Sequence, residues 1–335
     1  MGAGIDDVAR AAGVSTATVS RALRGLPNVR EETRTKVLRV ASQLNYAPSP
    51  SAASLASGRT RTIGLLTPSF SRWFHRNVVE GAERTLRSAG FDVLLHAFDV
   101  GSDMTRRMID TGLLRRRVDG VLVLGLPLAA TEIMDLDRLD LPLVFIGAGS
   151  PQHVRVHMDD RACSTLAVEH LVALGHRTIG QIHASAADTS RWSPARERAD
   201  AAAESLAAAG IENDPSLVEY GDFTHEGGRG AAARLLDARP DITAVYAHSD
   251  EMAFGALEVL RDRGLRVPEE ISVIGVDGHE LNELVGLSSV AQDAQAQGEA
   301  GATLILEMLT GAPVGSDVLF PVSLEPRRST GPVPG

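Results

Sequence analysis

Residues 5–25 read IDDVARAAGVSTATVSRALRG, and this stretch decides the architecture of the N-terminus. Ile5 to Ala12 carries a short helical pattern. Val8 and Ala12 lie one turn apart, and Asp6 and Asp7 stand in the first turn, where acidic groups suit the helix dipole. Gly13, able to take positive φ, ends it. Ser15 can cap a second helix, Thr16 to Leu23, in which Val19 and Leu23 share a face. A third helix is predicted from about Glu31 to Leu44, because Val37, Val40, Ala41 and Leu44 follow the i, i+3, i+4, i+7 spacing. Pro48 and Pro50 close the unit. Three short helices with a tight glycine turn between the first two make a helix-turn-helix, whose second helix enters the major groove led by its N-terminal residues. Those are Thr16, Ala17, Thr18 and Arg21. A three-helix protein-interaction domain has the same local pattern.

Charge separates this segment from the rest. The 335-residue chain carries a net charge of −10, with 44% apolar and 23% charged residues. That is an ordinary globular mixture, long enough for two or three domains. Residues 1–61 nevertheless hold nine basic groups (Arg10, Arg21, Arg24, Arg30, Arg34, Lys36, Arg39, Arg59, Arg61) against four acidic ones (Asp6, Asp7, Glu31, Glu32). This surplus of five positive charges leaves fifteen negative charges net on the remainder. A basic head on an acidic body points to a polyanion partner for the head alone. Lys36 is the only lysine against 32 arginines, a bias read as genomic composition rather than function. One cysteine, Cys163, excludes an intrachain disulfide and a thiolate-rich zinc site. No apolar run reaches the ~18 residues of a membrane span. The opening MGAGIDDVARAAG lacks the apolar core of a signal peptide. The expected compartment is therefore the cytoplasm, with no membrane partner.

The segment from Ile5 through LNYAPSPSAASLASGRTRTIGLL resembles the lactose-repressor (LacI/GalR) family of bacterial transcription regulators. The family pattern D-V-A-x-x-A-G-V-S-x-x-T-V-S-R is matched from Asp7 through Arg21, and its L-x-Y-x-P by Leu44, Tyr46 and Pro48. The resemblance continues to about residue 310. It implies that Thr16, Ala17 and Arg21 read bases in the major groove. Arg21 can donate two bonds to a guanine edge, whereas Ala17 and the Thr16 methyl can only pack or make one polar contact. Ser15, Thr18, Ser20 and Asn28 are then placed for phosphates. Where the family usually has Ser before the third helix, this chain has Arg30. The change removes a cap and leaves either a phosphate contact or a solvated turn.

Residues 47–60, APSPSAASLASGRT, are rich in Pro, Ser, Gly and Ala and read alone as a flexible linker. Ala52 to Ser57 can instead form a short helix around Leu55, too short to be stable alone in water. In the resembled family this segment folds on operator DNA, and paired leucines from two subunits wedge into the minor groove and kink it. Leu55 is in that place. Ala53 stands where the family often has Arg.

From Thr62 onward strands and helices alternate. Strands are predicted at Ile63–Thr67, Phe91–Phe98, Gly120–Leu126, Leu141–Ile146, Thr178–His183, Ile242–Ala247 and Ile271–Val276. Helices are predicted at Val78–Leu86, around Met104–Arg115, and at Ala162–Leu174, Ala195–Ala209, Glu226–Leu236 and Glu251–Arg263. Such βαβ alternation implies parallel sheets with helices on both faces, and ~250 residues suit two doubly wound domains better than one. The resemblance implies a two-lobed, periplasmic-binding-protein-like core in which later segments return to the first lobe, with Gln292–Gly311 packing there. The fold class is thus α/β: an N-terminal helix-turn-helix head plus a two-lobed core of doubly wound parallel sheets. The expected domains are 1–48 (DNA-binding), 49–61 (hinge) and 62–335 (core). Lobe 1 covers about 62–161 and 292–320, and lobe 2 about 162–291 and 321–331.

Ligands in such sheets bind beyond the carboxyl ends of strands. Ser249 and Asp250 follow one predicted strand and Asp277 another. The resemblance places Asp277 on the aspartate of V-I-G-x-D and Arg198 on the arginine of R-x-x-G, although Ala201 replaces that glycine. Ser249 replaces a common Asn. Trp73 and Phe74 follow the first strand, where the family often has N-P-F, and Phe223 stands where it often has an aromatic. A guanidinium fork, a carboxylate and aromatic faces suit sugar hydroxyls and C–H faces. Each residue also has a structural reading. Asp277 could cap the following turn, Arg198 could pair at the surface with Glu197 or Asp200, and the aromatics could be core.

Catalytic readings find no support. No G-x-G-x-x-G sits between a strand and a helix, and Gly227-Gly228-Arg229-Gly230 falls at a predicted helix start. His153 and His157 lie in alternating strand pattern and need not converge on a metal. Cys163 at a helix start could have a lowered pKa, without an evident partner. The expectation is a homodimeric regulator, a repressor, on a palindromic double-stranded operator, with no catalytic residue, metal or cofactor. Its effector is a small molecule, most simply a sugar, with a nucleobase-like metabolite or a protein co-regulator as the alternative. No leucine heptads follow Pro313, so a coiled-coil tetramer is not expected.

Overall fold

The computed structural model describes residues 3–23, 25, 27–46, 59–98, 109–126, 128–149, 152–184 and 193–334. The chain divides into two compact units, Met1–Arg61 and Thr62–Gly335.

The first unit contains α1 (Ile5–Ala12), α2 (Thr16–Leu23) and α3 (Glu31–Gln43). Asp7 reaches back to accept the Gly4 backbone N–H, and Gly13 ends α1 in the left-handed conformation (φ 67°). Ser15 caps α2 by accepting the Thr18 N–H at 3.2 Å. Val8, Ala9, Ala12, Val19, Ala22, Val37, Val40 and Ala41 form the head's core. Leu44, expected on that core, is 37% exposed because α3 ends at Gln43, and Tyr46 packs there instead.

The second unit is built on two six-stranded sheets. One takes β1 (Thr62–Thr67), β2 (Asp92–Ala97), β3 (Gly120–Leu124), β4 (Leu143–Ile146) and β5 (Val154–Met158), with helices α4 (Trp73–Ser88) and α5 (Ala130–Asp137). The chain then crosses into the other sheet. That series runs α6 (Asp160–Ala173), β6 (Ile179–His183), α7 (Pro194–Ala208), β7 (Val218–Tyr220), α8 (His225–Ala238), β8 (Ala244–Ala247), α9 (Asp250–Asp262), β9 (Ser272–Asp277), α10 (Asn282–Val285) and β10 (Ser288–Ala291). α11 (Ala294–Thr310) and β11 (Asp317–Phe320) return to the first sheet, and β12 (Ser323–Glu325) closes the second. The spatial orders are β11-β5-β4-β3-β1-β2 and β12-β10-β9-β8-β6-β7, parallel except for β12 against β10. Strands buried on both faces read as unbroken apolar runs, as GVLVL in β3 and LVFI in β4 do.

Helix packing explains two glycines. A Cβ on Gly298 of α11 would stand 2.1 Å from the Val78 carbonyl of α4, so the two helices touch backbone to backbone. Gly228, in the glycine run at the start of α8, likewise lies where a Cβ would meet the Met252 carbonyl of α9 at 2.3 Å. That run serves helix packing.

Two expectations shift. Residues 104–108 of the helix expected around Met104–Arg115 lie outside the described residues, and the described remainder contains a 3-10 turn at Thr111–Leu113. Cys163 is fully buried within α6, and burial pushes its thiol up rather than down. Among the described residues no helix is long and apolar enough to cross a membrane.

Candidate functional site

In the head, Val19 and Ala22 turn the inner face of α2 into the core, which leaves Ser15, Thr16, Ala17 and Arg21 exposed and Thr18 and Ser20 half-buried. Among the described residues no ion pair engages the exposed Arg21. Asn28 is exposed in the left-handed conformation (φ 69°). The Ser15 hydroxyl is 2.9 Å from that of Thr18. Arg30 stands at the N-cap of α3 with no side-chain cap bond. Leu55 lies outside the described residues.

In the core, each sheet reverses strand order at one point, between β1 and β3 and between β6 and β8. The crevice outside the carboxyl ends at such points is where open α/β sheets take ligands. Around the second point stand the ends of four neighbouring strands: Tyr220, His183, His248 and Asp277. The pairings Ile182↔Ala247 and His183↔Tyr220 bring the two histidines side by side, and their rings stack at 4.3 Å with 19° between planes.

Arg198, in the second turn of α7, is 5% exposed. Its Nε donates to Asp160 at 2.8 Å, its Nη1 to the His248 carbonyl, and its guanidinium lies 5.8 Å over the Phe223 ring. The surface pairing with Glu197 or Asp200 is therefore absent, and the ion pair it does make is buried on both sides. Burial pushes Asp160 up and the Arg198 charge pulls it back. Phe223 (φ 55°) also packs on the lobe's apolar cluster, so its ring touches both the core and the Arg198 guanidinium.

Ser249 and Asp250 have structural partners. Ser249 is the N-cap of α9, its hydroxyl accepting the Met252 N–H. The fully buried Asp250 carboxylate accepts from the Gly278 and His279 backbone N–H groups at 2.9 and 2.8 Å, from Asn282 Nδ2 at 2.7 Å and from the Ser289 hydroxyl. Asp250 thus fills the turn-capping position that was the alternative for Asp277. Asp277 instead ends β9 at φ 128°, a conformation L residues rarely adopt, and takes one bond from Gln292 Nε2 at 2.7 Å. Strain of this kind concentrates at functional sites.

Across the cleft, Phe74 in the first turn of α4 lies against Gly147, just past β4, and His75 lies against Gly125, just past β3. Trp73 does not share their position. Its indole N–H donates to Glu280 of the second lobe.

Burial sets the electrostatics. It lowers His75 to about 3, next to Arg72, and His183 to about 4, and it also holds His248 well below the usual imidazole range, beside His183 and Arg198. The cleft therefore presents neutral imidazoles at physiological pH. Both ring nitrogens of His248 are buried without a partner among the described residues. Asp277 is raised by burial and then by the nearby Asp250 charge. Its native pKa lies above the unfolded value of ~3.9, so its penalty is absent at low pH and grows as pH rises through the native pKa. Asp277→Asn keeps the acceptor for Gln292 and removes the charge. The variant is expected to melt higher than wild type at pH 7, by roughly 2–4 °C for each kcal/mol relieved. The gap should close toward pH 4. A gap independent of pH would show that the carboxylate is not strained.

Two family models match the chain. "Bacterial regulatory proteins, lacI family" covers residues 4–49, and "Periplasmic binding protein-like domain" covers residues 168–330. The repressor CytR of Escherichia coli K12 is 33% identical over 314 residues, 92% of this chain and 91% of that protein. The chain belongs to the LacI family. The regulator CelR of Thermobifida fusca is 34% identical over 318 residues, 92% of each chain. A lac repressor dimer bound to operator and the anti-inducer ONPF superposes with a TM-score of 0.85 at 27% identity, over 99% of this chain and 100% of that one. A CelR–cellobiose complex superposes at 0.73 with 32% identity, over 98% and 99%. As a LacI-family member this chain is a DNA-binding transcriptional regulator.

The LacI pattern pointed at Ser249 and Asp250 but not at the histidine before them. His183 and His248 each close an apolar strand (IGQIH, and AVYA followed by His), so strand-end position was their available signal. Asp160 and Gln292 had none, because their partners are far along the chain. His153 and His157 do part company, to Asp137 and Asp317.

Proposed function

We propose that the protein is a cytoplasmic, homodimeric repressor that reads a palindromic operator and releases or holds it according to a sugar bound in the core's cleft. The observation that carries the effector reading is the arrangement of Arg198, Phe223 and Asp277 around the carboxyl ends of one sheet, with Phe74 beside the strand ends of the other. A guanidinium over an aromatic ring beside a carboxylate with open acceptor sites matches a hydroxylated ring with one apolar face. The similarity to a chain that binds cellobiose favours the same class. Ser249 and Asp250 position the loop that presents Asp277. In the head, Thr16, Ala17 and Arg21 read bases, and Ser15, Thr18, Ser20 and Asn28 hold phosphates. Residues 49–61 form the hinge, with Leu55 as its minor-groove wedge, between the head at 1–48 and the core.

A thermal-shift panel of mono- and disaccharides, with nucleobases and nucleosides as comparators, tests the effector class, since a ligand that binds the native state raises its melting point. Stabilisation by nucleobases alone would replace the sugar reading. For the head, Arg21→Ala should cost roughly 1–3 kcal/mol of binding to an operator selected from random duplexes, with a smaller loss on random DNA. Equal losses on both would remove the base-reading role.

A further inference from the structure

Trp73 belongs to the apolar core of the first lobe, yet its polar edge is committed to the second. It is 8% exposed, its indole N–H donates to Glu280, and its ring lies 5.8 Å from that of His279. Arg76, one turn along α4, donates to the other oxygen of Glu280 at 2.5 Å. Glu251, in the first turn of α9, lies near the Trp73 backbone N–H and near Arg72. Two carboxylates of one lobe therefore receive the N-terminus of a helix of the other, where the helix dipole favours negative charge. These contacts lie beside the cleft, because α4 follows the carboxyl end of β1, and Glu251 and Glu280 follow those of β8 and β9.

We propose that Trp73, Arg76, Glu251 and Glu280 form a latch that holds the two lobes together across the cleft mouth. The contributions are unequal. Arg76 and Glu280 are each more than half exposed, and an ion pair of that kind contributes little. The enclosed indole bond and the carboxylate at the helix terminus carry the latch. Closure is then an equilibrium that the chain biases by itself, and an effector shifts it only by the difference between its affinities for the latched and unlatched states. That regulatory consequence rests on the cleft being the effector site. The latch itself does not.

Trp73 is one of two tryptophans, the other being Trp192, so the full chain carrying Trp192→Phe reports on the latch directly. Added Glu280→Ala should shift Trp73 emission to the red and raise its acrylamide quenching constant roughly twofold or more as the unlatched population grows. Glu280→Gln, which keeps an acceptor for the indole, should stay near the parent. Emission and quenching unchanged in a folded Glu280→Ala chain would overturn the proposal. So would equal changes in the Ala and Gln variants, because the indole bond would then not be the holding contact. As a second measurement, small-angle scattering should give a larger radius of gyration for Glu280→Ala than for the parent, and equal radii count against the latch. A failed sugar panel would remove the effector reading and leave these readouts intact.

Discussion

Arg198→Met should destabilise the core by about 3–5 kcal/mol, the usual consequence of removing one member of a buried ion pair. Arg198 and Asp160 have side chains only 6% and 3% exposed. Without the guanidinium, Asp160 is left buried with no counter-charge, and the His248 carbonyl loses a donor. Thermal unfolding of the full chain reads the loss at roughly 2–4 °C for each kcal/mol. The double variant Arg198→Met with Asp160→Asn should recover part of it, because the stranded charge is gone. If the single variant melts within about 2 °C of wild type, the pair is not a structural element and Arg198 is free to serve the ligand alone. If the effector binds as proposed, a ligand oxygen at Arg198 would share a fork that Asp160 and the His248 carbonyl already hold in position.

The second large effect is expected at Asp250. Asp250→Ala strands the Gly278 and His279 N–H groups, Asn282 Nδ2 and the Ser289 hydroxyl, and Asn282 and Ser289 are fully buried. Each unsatisfied buried donor costs about 1–3 kcal/mol. A combined loss on the order of 3 kcal/mol or more follows even if the loop relaxes to recover some bonds. Hydrogen exchange should speed up first in residues 278–286, where the carboxylate holds the Gly278 and His279 amides and the Asn282 side chain. Asp277→Ala is the contrast. It removes one bond, to Gln292, and also the strained buried charge, so the two effects offset and the melting point should stay near wild type at pH 7 while effector binding weakens. If Asp250→Ala keeps full stability and loses only ligand affinity, the two aspartates have exchanged roles relative to the geometry described above.

The head was legible almost residue by residue. Its helices, the glycine turn and the Ser15 cap rest on interactions within four residues of chain, and its inner face follows the helical period. Leu44 was misplaced because the period carried on past the point where the helix stops. The alternation of the core was legible for the same reason, with strand and helix ends shifted by up to five residues. The region around Met104 was not, since its described part is a single 3-10 turn.

Local period and charge therefore determined a basic helix-turn-helix, an acidic α/β body and the strand ends where a ligand would sit. Strand order, the return of α11 and the identity of each buried partner were decided only in three dimensions. Arg198 finds Asp160 across 38 residues, Asp277 finds Gln292 across 15, and Trp73 finds Glu280 across 207. A residue's own neighbours specify which way its side chain leaves the helix or strand. What it meets there depends on how the elements stack, and that is settled by burial of the whole apolar surface rather than by any local rule. For this reason the neighbouring Asp250 and Ser249, and the neighbouring Trp73 and Phe74, looked alike as ligand residues. The packed lobes gave Ser249 and Asp250 to the scaffold, turned the Trp73 indole to Glu280 and set Phe74 against Gly147.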